Sequence, residues 1–595
     1  MPLPIPELPS WEYCHPLAII YYLCTICFAF GGIMADSGFM GRPLRLVIYI
    51  DEICPGNPLR PEKSRTLQAV YWAFADWPQH VLQRTAVWPV FGTIRSTIVD
   101  KLPGRVSDLM RRILHVFFAT VGPSFARGVT IVKSGGETLI RTAIFSGFLA
   151  DEKAHNQITG SKGASGTRPC PTCTNVFGRM NPSRVPRGCV HYKSTDPSQF
   201  VPHTSDSIHL AYDTVCAAPV VERQRISQML GLNMNEHGLL HDQTMRQIYR
   251  PADHMLRDHQ HVLTSDGVAN KQVAHLMRAL IKAKIPIDTV ATYIADVNLP
   301  HCHGRTDKHW VSKKRLGAKM ESLSSFSGIV LSLIPILVMF MTEVVLDTVA
   351  VDDPLRQHAE CLVTLWHIMG VCMLGAVDAM EHIGLLRKVI ARHSVQFAAL
   401  YPGAQTPKFH QLFHIPDNAV FLGRLLSCFV LERKHRTTKR AALFVFRYIE
   451  STVIKDLVNQ QCEAVCGRTG SLFDKKFIVT PRRFQVPGSG VSLSYSRQAV
   501  LPCGSVRAGD IVCLVGGEVG EVVAFWTCAG NATIVVRVLL FELVNPATCQ
   551  WLVSDPVSRV VDSEDILAPV QWRRIRDGVI RIVPAFRTLL KDLIE

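Results

Sequence analysis

Residues 44–52 read LRLVIYIDE, a mostly apolar run that ends on two acidic residues, Asp51 and Glu52. Its β-branched composition predicts a buried strand, and the Pro-Gly-Asn-Pro sequence at 55–58 predicts a turn soon afterwards. Residues 138–152, TLIRTAIFSGFLADE, repeat the pattern and end on Asp151 and Glu152. We therefore expect two buried strands that carry acidic side chains to one edge of a sheet.

Carboxylates at the ends of neighbouring strands suit a site for divalent metal ions. Mg²⁺ and Mn²⁺ prefer carboxylate oxygens. Two such ions about 4 Å apart stabilise both the attacking and the leaving oxygen of a phosphodiester. Acidic residues are also common in turns that follow strands, so for either pair alone a turn is the favoured explanation. The choice between a metal site and a turn therefore depends on the residues after Asp151.

The remaining pattern predicts an α/β protein. Further strands are expected at 67–77 and 86–95, and a helix is expected at 105–121. From residue 477 the pattern changes to short strands separated by Gly and Pro, which predicts a small C-terminal β-barrel of the SH3 or BAH type. Long helical stretches are expected at 200–345, 355–400 and 431–461. Short C-terminal strands are expected at 510–514, 519–526 and 533–541.

Composition limits the class of protein. The chain has 595 residues, 48% of them apolar, which is enough to form large cores and excludes a disordered polar protein. Lys and Arg number 64 against 49 Asp and Glu, a net charge of +15 that favours a polyanionic partner, either nucleic acid or an acidic membrane. Eighteen Cys residues without a secretion signal are expected to be reduced thiols.

Two uncharged runs, 17–35 and 322–342, raise the question of a membrane span, as does the mean hydropathy of +0.16. Residues 1–16 contain no Lys or Arg, which argues against a signal peptide. The first run has no flanking basic residue before Arg42, and the second contains Pro335. We expect both runs to be buried core helices, with a membrane anchor at 17–35 as the alternative.

A pattern typical of a structural zinc site follows Asp151. A Gly-rich loop leads to Cys170 and Cys173, a CxxC half-site that needs a second pair of ligands. His410 and His414 have the i,i+4 spacing that places both imidazoles on one face of a helix. Gln411 stands where a zincin would have its catalytic Glu, so this is not a zinc protease motif. The competing second pairs are Cys189 with His191 and the group His301, Cys302 and His303.

Four blocks in this order resemble the CACTA-type DDE transposases, including their Plavaka relatives. The blocks are the strand ending at Asp51, the strand ending at Asp151 with its Gly-rich loop and CPTC, the Asp258-x2-His261 string, and the helix CFVLERKHRTTKRA containing Glu432. The resemblance covers about residues 12–460. It implies an RNase H-like core split by a large, mainly helical insertion, and a catalytic triad of Asp51, Asp151 and Glu432 that binds Mg²⁺ or Mn²⁺.

The third acid also has support from the residues alone. Glu432 begins a predicted helix on which Arg436, Lys439 and Arg440 fall on the same side, so that a metal-binding acid would lie beside a basic stripe. A solvated Glu–Arg pair is the alternative explanation. We assign DNA contacts to these three residues, to Arg433 and to Lys162 of the Gly-rich loop. For the basic segment 305–319, which includes Trp310, two predictions stay open: it binds along a DNA backbone, or it is a solvated loop.

These observations predict a nuclear DNA transposase that contains structural zinc, acts on DNA rather than at a membrane, and forms a homo-oligomer such as a dimer. Only 50 residues precede Asp51, whereas the family carries a long N-terminal region, so we expect a truncated or host-retained derivative. The alternative function is a catalytically silent, transposon-derived DNA-binding or scaffold protein. The expected parts are 1–160 (first part of the core), 161–420 (helical insertion with CxxC and HxxxH), 421–475 (core-completing helix) and 476–595 (β domain).

Overall fold

The computed structural model of the chain describes residues 2–3, 11–36, 42–56, 62–132, 136, 138–178, 185–466, 473–485, 492–528, 533–546 and 549–583. The chain forms two compact units whose segments alternate along the sequence. Unit 1 comprises Met1–Val262, Gly375–Ile383 and Thr406–Phe473; unit 2 comprises Leu263–Leu374, Gly384–Gln405 and Asp474–Glu595. The division into four parts that we expect from the sequence is a different kind of division from these two units and stays a prediction.

A five-stranded mixed sheet forms the centre of unit 1. Its strands lie in the order β5-β4-β1-β2-β3, with β1–β2 and β2–β3 antiparallel and β1–β4 and β4–β5 parallel. The chain is therefore mixed α/β, as the sequence predicts. The strands are β1 (Leu44–Ile53), β2 (Leu67–Phe74), β3 (Val90–Arg95), β4 (Ala143–Ala150) and β5 (Met255–Arg257).

The register of the parallel pair brings the two predicted strand ends together. Tyr49 of β1 lies opposite Leu149 of β4, so both chains reach their acidic residues at the same edge of the sheet. Every residue of β2 is buried, as is β1 from Leu46 to Ile50. Burial of both faces explains why these strands are continuous apolar runs instead of alternating ones.

Gly147 makes an irregularity in β4 possible. The register of β1 and β4 shifts between Leu46 and Val47, and Gly147, opposite Val47, has φ +140°. A Cβ atom at Gly147 would lie 2.6 Å from Leu256 Cγ of β5. Only glycine combines that backbone angle with so close an approach of the neighbouring strand.

Helices cover the sheet of unit 1. The helix that carries Glu432, here the Glu432 helix, spans Phe429–Ala442, and the next helix packs along β3. The other α-helices of this unit, including one that reaches its boundary, are Pro16–Ile26, Phe28–Asp36, Gln79–Leu82, Ser96–Val99, Arg105–Leu114, Glu152–Thr159, Ser205–Ala217, Val220–Leu230, Gln243–Ile248, Pro251–His254, His259–Thr264, Asp378–Glu381, Pro407–Leu412, Ile415–Leu422 and Ile449–Cys466.

The uncharged run at 17–35 forms two helices, Pro16–Ile26 and Phe28–Asp36, that meet at an angle of 118°. The longer of them is about 16 Å long, half of what a membrane core requires. Within the described residues, one helix is long and apolar enough to cross a membrane by length and composition, Ser327–Val345, and 67% of its apolar window is buried inside the protein. The bent pair passes the same test only when its two helices are taken as one span.

The helices of unit 2 include the region predicted as one pattern over 355–400. It forms two long helices because Gly375, at φ +111°, interrupts the pattern between them. The α-helices of this unit are Val268–Lys282, Ile287–Ala295, Lys313–Leu316, Ser327–Phe340, Pro354–Met373 and Ile383–Leu400.

The predicted C-terminal barrel is wrong. Described strands after residue 476 form a nine-stranded sheet and a three-stranded sheet, with no closed barrel. Val535–Asn545 and Gln550–Asp562 form a long antiparallel ribbon within the larger sheet, with many exposed side chains. The sheet stays open because Arg482–Gln485 and Trp572–Arg576, at its two ends, do not pair with each other. The other strands are Phe477–Ile478, Arg482–Gln485, Ser492–Ser496, Gln498–Leu501, Gly504–Arg507, Ile511–Leu514, Val519–Cys528, Ile566–Pro569, Trp572–Arg576 and Val579–Ile582.

Candidate functional site

Two of the predicted acids meet at a histidine. The Nδ1 atom of His435 lies 3.5 Å from Asp51 Oδ2 and 3.7 Å from Glu432 Oε2. Asp51 belongs to β1, and the other two residues lie one turn apart on the Glu432 helix. We call these three residues the acid cluster; their ligand atoms lie close enough together to hold one metal ion.

The acid cluster has the electrostatics of a cation site. Burial raises the pKa of Asp51, and the carboxylates of Glu432 and Asp151 raise it further, against the opposing effect of His435. Burial alone would raise the pKa of Glu432, but His435 and His261 lower it below its usual value. The cluster therefore crowds negative charge where a cation would relieve the repulsion.

The third predicted acid, Asp151, follows β4 directly. Its Oδ1 accepts a hydrogen bond of 2.7 Å from the Ala154 backbone N–H and caps the helix Glu152–Thr159. Asp151 is near enough to raise the pKa of Asp51. It is not one of the three residues whose ligand atoms already share one position.

Asp258 and His261 lie behind the acid cluster. Asp258 is buried and accepts hydrogen bonds of 2.8 Å from His261 Nδ1 and 2.9 Å from the backbone N–H of Cys428. On its other side, His261 Nε2 lies 3.6 Å from Glu432 Oε1. Burial opposes protonation of His261, but Asp258, Asp151 and Glu432 raise its pKa to about 9, so this imidazole is charged at neutral pH.

The Glu432 helix is fixed to the sheet by buried polar groups. Lys434 is buried and donates to the backbone carbonyls of Thr85 (3.1 Å) and Trp88, and burial lowers its pKa to about 7. The hydroxyls of Tyr71 and Thr438 form a 2.7 Å hydrogen bond. These contacts hold the helix rigidly enough to position Glu432 over the end of β1.

A second group consists of Cys170, Cys173, His410 and His414, here the Cys/His cluster. The distances from His414 Nε2 to the two sulfurs are 3.4 Å each, the distance from Cys173 Sγ to His410 Nε2 is 3.5 Å, and the two Nε2 atoms are 3.0 Å apart. A tetrahedral ion with ordinary zinc bond lengths separates N from N by about 3.3 Å and S from N by about 3.6 Å. The cluster fits such an ion.

Burial and charge also suit the Cys/His cluster for a metal. Burial would raise the pKa of the Cys170 thiol, but the Cys173 thiol and the two imidazoles lower it well below its usual value. Burial lowers the pKa of His414 and keeps it neutral, as a ligand must be. Cys170, Cys173 and Val176 form a small core of their own, against which Phe200 packs.

Arg257 connects the two groups. Its Nη2 donates to Thr172 Oγ1 at 3.0 Å and lies 3.8 Å from Cys170 Sγ. Arg257 is the last residue of β5, and Asp258 follows it directly. Two adjacent residues thus contact different groups. Arg257 contacts the Cys/His cluster, and Asp258 contacts His261, which lies beside Glu432 of the acid cluster. The position of β5 therefore affects both groups.

The competing ligand pairs do not join these groups. His191 Nδ1 accepts from the Lys193 backbone N–H, and His301 Nδ1 lies 2.6 Å from Asp510 in unit 2. Among the described residues, neither pair belongs to a group of ligand atoms that could share one ion. Spacing alone could not have chosen between them and His410 with His414.

The predicted DNA contacts differ in how they are placed. Arg433, Arg436, Lys439 and Arg440 of the Glu432 helix are exposed, and Arg433 also donates to the Gln83 carbonyl at 3.2 Å. Lys162 is half-buried and donates to Asn233 Oδ1 at 2.7 Å. Four of the five cations therefore present their charge to solvent.

Three residues at these groups were missed by the sequence reasoning. His435 follows Glu432 by one helical turn, so its position on the same face could have been found from spacing. Cys428 and Arg257 carry no such signal, because their contacts cross between distant segments. Comparison of the chain with models of known protein families and with curated proteins finds no match to either.

Proposed function

We propose that this protein is a transposase-like DNA nuclease and strand transferase with an RNase H-like core. The observation that carries the proposal is that Asp51 and Glu432 lie close together at the sheet edge where β4 also ends. Asp151 is the residue that directly follows β4. The sheet supports it, because three antiparallel strands followed by two parallel ones in the order 3-2-1-4-5 is the arrangement of RNase H-like cores.

In the proposed reaction, Asp51, Asp151 and Glu432 would hold Mg²⁺ or Mn²⁺. A bound divalent ion supplies the positive charge that stabilises the phosphorane and the leaving oxygen. The attacking water, or later a 3′-hydroxyl, gives its proton to solvent as its oxygen bonds to phosphorus. The bond to the leaving oxygen breaks, and that oxygen takes a proton from solvent. Protonated His261 adds a fixed positive charge beside Glu432, and the exposed cations of the Glu432 helix bind flanking phosphates.

The Cys/His cluster is proposed to hold a structural zinc. Two thiolates and two imidazoles leave no open position for a substrate, which is typical of structural zinc sites. Bound there, zinc would tie the loop after Asp151 to the helix Pro407–Leu412, which bears His410, and to His414, which lies between that helix and Ile415–Leu422. Arg257 would pass that restraint to β5.

A nicking assay on supercoiled plasmid DNA tests the nuclease proposal without knowledge of a target sequence. We expect Mg²⁺- or Mn²⁺-dependent nicking that falls by at least about 100-fold in Asp51→Asn, Asp151→Asn and Glu432→Gln. Glu152→Gln is the matched control, since it removes the neighbouring carboxylate and should keep activity. Equal nicking by wild type and Asp151→Asn would overturn the assignment.

One observation favours the alternative, a catalytically silent DNA-binding protein. The Asp151 carboxylate is engaged as a helix cap, whereas the acid cluster consists of two acids and His435. Salt-sensitive DNA binding by the wild type, without nicking in either metal ion, would support this alternative and exclude the nuclease.

A further inference from the structure

Three aromatic side chains are exposed directly after the Glu432 helix. Phe444 is 83% exposed, Phe446 67% and Tyr448 80%. We call residues 443–448 the aromatic loop. Several exposed aromatic residues within one short segment of a folded protein mark a contact surface, because burial of such rings is otherwise favourable.

The aromatic loop has a fixed backbone. Arg65 donates from Nη2 to the carbonyls of Ala442 (2.6 Å), Leu443 (2.8 Å) and Val445 (3.3 Å), and its guanidinium lies 4.3 Å from the centre of the Phe446 ring. Tyr448 has φ +50°, a conformation that a bulky residue adopts at a cost of about 1 kcal/mol or more. The rings are thus held outward by a built structure.

The surroundings of the aromatic loop are positively charged. Arg436, Lys439, Arg440 and Arg447 are exposed and form no ion pair with any carboxylate that the structure describes. Two acids lie near the loop and both are paired: Glu450 with Arg95 at 2.6 Å, and Glu62 with Arg65 at 3.7 Å. Exposed rings among unpaired cations match a ligand with flat faces and a phosphate backbone.

The distance from the acid cluster is set by the helix. Glu432 and Ala442 are separated by about 15 Å along the helix axis, at 1.5 Å per residue. Successive nucleotides of a DNA strand are about 3.4 Å apart along the duplex axis. A strand that follows the basic residues therefore reaches the aromatic loop four or five nucleotides from a phosphate held at the acid cluster.

We propose that the aromatic loop is a binding site for an unpaired DNA base, which stacks on Phe444 or Tyr448 while the flanking cations hold its backbone. The inference rests on the proposed action on DNA. It adds a preference for DNA that is unpaired four or five nucleotides from the cleaved phosphate. Paired bases present only their edges, so an intact duplex would use the cations and not the rings.

Fluorescence anisotropy with two DNA probes tests the proposal. One probe is a 30-base-pair duplex, and the other is the same duplex with a four-nucleotide gap that leaves bases unpaired. We expect tighter binding of the gapped probe, and a loss of roughly 5- to 150-fold for it in Phe444→Ser/Tyr448→Ser. Binding of the intact duplex should change less than about twofold, since the cations remain.

Matched variants separate stacking from general effects. Phe326, in unit 2, has a ring that is 79% exposed. Phe326→Ser removes this equally exposed ring and should leave the affinities for both probes unchanged. Phe444→Trp/Tyr448→Trp keeps flat rings and should retain the preference for the gapped probe. A Phe444→Ser/Tyr448→Ser variant that binds both probes like the wild type would overturn the inference, and a concurrent loss of self-association in sedimentation would then assign the loop to a protein contact. Failure of the wild type to bind either probe would instead overturn the proposed function.

Discussion

Asp258 is a single buried carboxylate that joins three segments of unit 1. It follows β5, it accepts hydrogen bonds from the backbone and the ring of His261, and it accepts from the backbone N–H and the thiol of Cys428. Burial would raise its pKa, yet these donors and the charge of His261 lower the pKa below its usual range. The stability of this carboxylate therefore depends on an intact set of partners.

We predict that Asp258→Asn destabilises the protein by about 3 kcal/mol, because buried, charged His261 loses its closest counter-ion, at 2.8 Å, and keeps only Glu432 at 3.6 Å. Urea unfolding followed by circular dichroism measures this loss. Asp206→Asn, an exposed carboxylate in the first turn of Ser205–Ala217, should change the free energy of unfolding by less than about 0.5 kcal/mol. A similar small change in Asp258→Asn would show that Asp258 does not have this role.

The Cys/His cluster gives a prediction about metal content. Purified protein should contain about one zinc per chain by elemental analysis, and Cys173→Ser should lose it, because three ligands hold structural zinc poorly. Cys302→Ser is the control, since Cys302 is exposed and outside the cluster. Wild-type protein free of zinc, or equal loss in both variants, would contradict the prediction.

Individual residues were accessible to sequence reasoning where spacing fixes their geometry. CxxC and HxxxH each place two ligands together within a few residues, so the two halves could be named. The choice of His410 and His414 over His301 and His303 depends on which segments meet in space. That information lies in the packing of unit 1 and in no local pattern.

Among the elements, β4 carries the tightest constraint. Gly147 combines φ +140° with a contact to β5 that leaves no room for a side chain, as its nearest neighbours are Leu256 side-chain atoms at 2.6 and 2.7 Å and the His254 carbonyl at 2.9 Å. The irregularity sits three residues before β4 ends and four before Asp151. Any displacement of β5 there also moves Arg257.

We predict that Gly147→Ala lowers the free energy of unfolding by at least about 2 kcal/mol, through the clash with β5 and the strained backbone angle. Thermal unfolding of the two proteins provides the comparison. Gly32→Ala is the matched control: Gly32 lies in the helix Phe28–Asp36 with nothing within 4 Å of its Cβ position, so alanine should stabilise by about 0.5–1 kcal/mol. A tolerated Gly147→Ala would mean that β4 and β5 separate freely.

Elements with a strong local pattern were predicted well, and the α/β class is confirmed. β1 and β4 were visible because long apolar runs ending in acids leave few alternatives. The predicted run 138–150 is nevertheless two strands, since Thr138–Arg141 pairs with Val129–Val132 in a separate sheet and β4 begins at Ala143. The barrel failed because strand alternation and turn residues predict strands without stating whether the last one pairs with the first. The ribbon Val535–Asn545 and Gln550–Asp562 is a hairpin of neighbouring strands, whereas the pairing of Gln550–Leu552 with Val579–Arg581 joins segments that no local pattern connects.

For the molecule as a whole, buried histidines link stability to pH. His393 in unit 2 is fully buried with its Nε2 2.6 Å from Gln272 Oε1, and burial lowers its pKa to about 3. In the unfolded chain its pKa is about 6.5. The unfolded state therefore binds a proton first as the pH falls, so that this contribution is fully present above pH 6.5 and declines from there toward pH 3.

We predict that His393→Gln removes about 2 kcal/mol of the stability difference between pH 7 and pH 5, since glutamine stays uncharged over this range. Denaturant unfolding at both pH values gives the difference directly. His309→Gln, at an exposed position, should retain the wild-type pH dependence. An unchanged difference in His393→Gln would contradict the assigned burial of a neutral imidazole.

The alternation of the two units along the chain has a practical consequence for biochemists. The polypeptide passes from one unit to the other five times, near residues 262, 374, 383, 405 and 473. A protease that cuts at any one of these passages releases neither unit whole, because no single cut separates all segments of one unit from those of the other. Isolation of unit 1 therefore calls for a redesigned polypeptide in which short linkers replace the excised segments, rather than for limited proteolysis or a simple truncation.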